Sequence, residues 1–104
     1  RRHVQRKGNR SIANAVEQLR LALSQDADPD NVATAFEVVM VRVAGGGAFS
    51  APGVWQDLQA RGVAPEGLRQ LQSLHAQLDA ARFGGPVPKL NAVMGPVETL
   101  VSSS

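Results

Sequence analysis

Four acidic residues, Asp26, Asp28, Asp30 and Glu37, fall at positions 1, 3, 5 and 12 of a twelve-residue window. Oxygen ligands at alternate positions can wrap a hard cation such as calcium, and a final Glu can close the shell with both oxygens. Position 6 of such a loop calls for Gly at a sharp turn, and Asn31 stands there instead. Pro29 also lies inside the window, and helical apolar spacing is already running from Val32. The alternative is an acidic cap at a helix start, where carboxylates meet the positive end of the helix dipole. The residues favour the cap and leave calcium open.

The remaining chemistry-bearing side chains are sparse. The chain has two His, no Cys and no Tyr. His3 sits among cations at the start and His75 sits beside Leu74 and Leu78, so no second His stands at metal-ligand spacing. His75 and Asp79 are four apart, the spacing of an ordinary surface pair on a helix. No Ser has a strand-to-helix elbow around it, and Gly45-Gly46-Gly47 lacks the Lys-Ser/Thr that a phosphate loop needs. The reading is therefore a protein without catalytic residues, metal, cofactor or small-molecule substrate. Trp55 reads as a core anchor, with an exposed contact residue as the alternative. Phe49 reads as an anchor of the loop it occupies. Trp55, Phe49 and Phe83 are the candidate residues for contact with a protein partner.

These residues belong to a chain of 104 residues, 43% hydrophobic, which fits one domain with one modest core. The net charge of +2 conceals an asymmetry. Arg1, Arg2, Arg6, Lys7 and Arg10 put five cations and no acid in the first ten residues, whereas residues 11–104 hold six cations against nine acids. Such a basic start can be a solvated end, a nucleic-acid arm, or the cytoplasmic flank of a membrane helix. The acidic body and scarce aromatics argue against nucleic acid. The chain begins with Arg, which reads as a segment cut from a longer protein and sets the membrane flank, with the inner-membrane surface as the arm's partner, level with the solvated end. No apolar run approaches the ~20 residues that cross a bilayer.

Five elements must position these groups, and all read as helices. Ser11 reads as an N-cap, followed by Ile12, Val16, Leu19 and Leu23 on one face, ending near Gln25. Asp28-Pro29-Asp30 opens a second helix carrying Val32, Phe36, Val39, Met40 and Val43, stopped by Gly45-Gly46-Gly47. A loop over residues 45–53 leads to a short helix with Val54, Trp55 and Leu58, closed at Gly62. Pro65 and Glu66 open a fourth, lined by Leu68, Leu71, Leu74, Leu78 and Ala81, which ends in Phe83-Gly84-Gly85-Pro86. Leu90, Val93, Val97 and Leu100 share a last face, interrupted by Pro96, where a kink or two short turns are expected. The expected architecture is an all-α bundle of four to five helices over residues 11–101, with a basic arm (1–10) and a polar tail (102–104). The expected core is Val16, Leu19, Leu23, Phe36, Val39, Met40, Val43, Trp55, Leu58, Leu71, Leu74 and Leu78. The short helix pair joined at Gly62 could also be read as a helix-turn-helix, but its cations are too few for phosphate contacts.

The order of basic flank, helix, Asp-Pro-started helix, Gly/Pro loop and Leu helix resembles the cytoplasmic C-terminal region of bacterial BatD (oxygen-tolerance) proteins. Within the stretch from Leu71 to Gly84, the residues Leu78, Asp79, Phe83 and Gly84 match that family's helix end. The family's tryptophan-rich second helix is not matched, since Phe36 and Met40 stand there. A similar ending occurs in the helical C-terminal domain of transglutaminase-like membrane proteins. The resemblance implies a non-catalytic module on the cytoplasmic side of the bacterial inner membrane. Its partners would be von Willebrand A-type membrane proteins and a MoxR-type ATPase, with a role in stress or oxygen tolerance.

Overall fold

The computed structural model describes residues 2–25, 28–45 and 53–103, with side chains described from Ser11 onward. Five α-helices follow one another: α1 (Arg2–Ser24), α2 (Pro29–Ala44), α3 (Gly53–Ala60), α4 (Pro65–Ala81) and α5 (Leu90–Ser103). Among the described residues there is no strand, and the chain is a small all-α bundle.

Helix α1 corrects the expected start at Ser11. It begins at Arg2, so Ser11 lies inside the helix and is not its cap. Residues 2–10 contain no Pro, and their Arg, Gln and Lys are good helix formers. A Ser in mid-helix costs too little to stop propagation. The Ser11 carbonyl, already within the helix, also accepts a hydrogen bond from Arg42 Nη1 at 2.7 Å.

The boundaries of α2 are the expected ones, and each has a physical cause. Asp28 is extended (φ −66°, ψ 123°), and its carboxylate accepts from the Asn31 backbone N–H at 3.4 Å. Pro29 follows at the first helical position, where its missing N–H costs nothing. At the other end Gly45 adopts φ 119° and its N–H returns to the Val41 carbonyl. Arg61 Nε donates to the Ala44 carbonyl at 3.1 Å, satisfying another acceptor of the last turn. Val38, Val39, Val41 and Val43 would suit a strand, but Val32, Ala33, Phe36, Val39, Met40 and Val43 are all buried by the helical period. Burial overrides propensity here.

Helices α3 and α4 end in the same device. Gly62 (φ 99°) and Gly84 (φ 104°) take the left-handed position. The next residues reach back, Val63 N–H to the Leu58 carbonyl at 3.2 Å and Gly85 N–H to the Ala80 carbonyl at 3.1 Å. These are Schellman closures, which need a residue without Cβ at the turn. Helix α5 is one element in place of two short turns, since it continues through Pro96. Val93 and Met94 before the proline, and Val97 and Leu100 after it, are all buried, so packing holds both halves against the core. Thr99 Oγ1 donates to the Gly95 carbonyl at 3.0 Å. Leu90, expected on the same inner face, is exposed.

Helix α2 packs against α1, α3 and α4, and α5 closes the ring against α1 and α4. The pairs Asp30–Arg82 and Glu37–His75 run in opposite chain directions, so α2 and α4 are antiparallel. Phe36, Leu19, Met40, Leu58, Leu71 and Leu78 are the largest fully buried side chains. Of the twelve expected core residues, Val16 alone is half-buried, packed at the rim.

Replacing Gly45 by Ala forces a Cβ into a left-handed position and to 2.8 Å from the Arg61 guanidinium. Such strain costs about 1–2 kcal/mol. Chemical denaturation of Gly45→Ala should show that loss, with helical content at zero denaturant unchanged.

Candidate functional site

The most chemically distinctive cluster lies where α2, α3 and α4 meet. His75 is on α4, one position after buried Leu74, which puts its ring at the rim of the core. Its Nε2–H donates to Glu37 Oε2 on α2 at 3.0 Å. The imidazole stacks on Phe36 with centroids 6.2 Å apart and meets Trp55 of α3 edge-on at 5.9 Å. Both polar side chains are largely covered, at 19% and 21% exposure. A hydrogen bond to a carboxylate in such a site is stronger than the same bond in water. The cluster therefore joins three helices through one ring.

A His–carboxylate pair could also orient a base for a nucleophile. Ser73, two positions before His75 on α4, points to another side of the helix, and its hydroxyl accepts from Gln77 at 3.3 Å. Ser24 Oγ donates to the Leu21 carbonyl at 3.4 Å. The arrangement joins α2 to α4, and among the described residues the hydroxyls of Ser73 and Ser24 are engaged elsewhere.

The residues read for calcium are drawn to separate tasks. Asp28 caps α2. Asp30 pairs with Arg82 at 3.3 Å, and Glu37 accepts from His75. Asp26 lies outside the described residues. Among the described residues no group of three His, Asp or Glu comes within reach of one metal ion. Asp79, expected to pair with His75, pairs with Arg82 at 3.3 Å. Trp55 is 8% exposed, which places it in the core as an anchor and not on the surface as a contact residue. Phe49 and Arg1 lie outside the described residues. Arg2, Arg6, Lys7 and Arg10 lie in the first turns of α1.

Phe83 differs from every other large apolar side chain described. It is 87% exposed, just beyond α4. Its neighbour Arg82 reaches both Asp30 and Asp79, and the Gly84–Gly85 closure fixes the backbone on its other side. The aromatic ring is thus held outward on a corner tied down on both flanks.

The concavities are modest. A cleft of about 160 Å³ lies between the α3–α4 turn and α5, lined by Val63, Gly67, Gln70, Leu71, Pro96 and Thr99. An open groove between α1 and α2 is bordered by Gln18, Leu21, Asp30, Asn31 and Thr34. Neither gathers the convergent polar groups of a small-molecule site. Among the described residues no helix is long and apolar enough to cross a membrane.

The cross-helix pairs escaped the sequence reading because their partners are far apart in the chain. Glu37 and His75 are separated by 38 positions, and Arg20 and Glu98, joined at 2.9 Å, by 78. No local spacing signals such a pair.

A double-mutant cycle with Glu37→Ala and His75→Ala should return a coupling on the order of 1 kcal/mol, measured by denaturation. Strict additivity would mean that the bond holds nothing together. Compared with known proteins, the chain matches no family model, and neither a curated protein nor a solved structure is significantly similar to it.

Proposed function

We propose that this chain is a non-catalytic protein-interaction module of a membrane-anchored bacterial protein, on the cytoplasmic side of the inner membrane. By its resemblance to BatD proteins, its partners are von Willebrand A-type membrane proteins and a MoxR-type ATPase, and its role lies in stress or oxygen tolerance. The observation that carries the interaction reading is Phe83, an aromatic side chain 87% exposed on a corner fixed by Arg82 and Gly84. A pre-positioned aromatic gives binding area at little entropic cost, which is why such residues dominate interfaces. The scarcity of acid–base side chains and the pairing of His75 with Glu37 support a role without catalysis. The nucleic-acid alternative is disfavoured because Arg20, Arg42, Arg61 and Arg82 each hold an acceptor within the chain.

The test is co-purification of the full protein with a MoxR-type ATPase and a von Willebrand A-type protein from the same bacterium. Phe83→Ala should weaken capture by roughly thirtyfold, the scale of a binding hot spot. The same variant should unfold within about 0.5 kcal/mol of the parent, because an exposed side chain contributes little to the fold. Undiminished capture by Phe83→Ala removes this residue from the interface. Capture of neither protein removes the partner assignment.

A further inference from the structure

Helix α1 turns a count of cations into a geometry. It runs unbroken from Arg2 to Ser24. The buried positions Ala15, Leu19 and Leu23, flanked by half-buried Ile12 and Val16, define its bundle-facing side. Successive residues turn by about 100°, so that side winds back to positions 4, 5 and 8. Arg2, Arg6, Lys7 and Arg10 occupy an arc of about 140° on the opposite side. This is the side on which exposed Asn14, Glu17 and Leu21 follow. The four cationic positions span about 12 Å along the helix before Glu17 ends the run of one sign.

This edge is electrostatically unfavourable in isolation. Arg2, Arg6 and Arg10 stand four apart, a spacing at which like charges repel. Arg2 also lies at the positive end of the helix dipole, with no acidic residue in the first turn. An anionic surface relieves both effects. The partner best matched is planar, because Arg2, Arg6, Lys7 and Arg10 fall within one arc of a continuous helix. A nucleic acid would instead call for basic groups continuing onto the body. There, residues 11–104 hold nine acids against six cations.

We propose that the arc of α1 carrying Arg2, Arg6, Lys7 and Arg10 is a docking site for anionic lipid headgroups, on which the first turns of α1 lie side-on. This deepens the membrane-side placement proposed above and rests on it only for its biological setting. The contact needs neither a preceding membrane helix nor Phe83.

The experiment is co-sedimentation of the 104-residue chain with phosphatidylcholine vesicles, with and without phosphatidylglycerol. Binding is expected only with the anionic lipid, and it should fall as salt is raised. Arg6→Gln/Lys7→Gln/Arg10→Gln should weaken it roughly a hundredfold, about fivefold per cation. An isocharge variant, Gln5→Arg/Arg6→Gln/Lys7→Gln/Gly8→Lys, keeps the net charge but scatters it around the helix. It should also bind less tightly than the parent, which separates a helix face from a mere polycation. Phe83→Ala should bind vesicles as the parent does, so failure of the protein-contact reading leaves this result intact. Equal binding by the isocharge variant overturns the proposal. So does absence of binding to anionic vesicles, or tighter binding to duplex DNA at the same salt.

Discussion

The structure depends on burying α2 against three neighbours at once. Val32, Ala33, Phe36, Val39, Met40 and Val43 form a buried arc of about 120° on it, and α1, α3 and α4 all pack against α2. Its ends are exposed, and groups within the chain satisfy part of each terminal turn. The Asp28 carboxylate serves the first turn, and the Gly45 backbone with the Arg61 guanidinium serves the last. Apolar packing fixes that the helices meet but tolerates sliding. The polar pairs at the rim fix where they meet. Arg42 to Ser11 sets α2 against α1, and Glu37 to His75 and Asp30 to Arg82 set it against α4. Exposed ion pairs contribute little stability individually. Their value here is register.

What the sequence made legible follows from the range of each signal. Caps and glycine stops are local, so the limits of α2, the turn at Gly62 and the end of α4 could be read from a few residues each. Apolar spacing is nearly as local, and eleven of the twelve core residues expected from it are buried. Two readings failed where a local signal was weaker than its surroundings. Ser11 can cap a helix but can also sit inside one, and nothing in residues 2–10 stops the helix. Pro96 removes one hydrogen bond, yet Val93, Met94, Val97 and Leu100 are buried on both sides of it and outweigh that loss. The candidate site was less legible. Phe83 could be named as an aromatic at a helix end, but its exposure depends on the fold around it. The Glu37–His75 bond joins residues that only the antiparallel packing of α2 and α4 brings together.

The rim pairs also bear on function. Asp30, Glu37 and His75, side chains able to bind metal or move protons, pair α2 with α4, while Asp28 and Asp79 have local partners. Asp28, Asp30, Glu37, His75 and Asp79 each have a partner inside the chain. Two further features are the exposed ring of Phe83 and the cationic positions Arg2, Arg6, Lys7 and Arg10 in the first turns of α1. Their positions are set by the same register. Phe83 follows Arg82, which pairs with Asp30 in the first turn of α2. The basic turns of α1 lie N-terminal to Ser11, which Arg42 grips from the last turn of α2. The two features therefore stand at opposite ends of a helix of 16 residues, about 24 Å long.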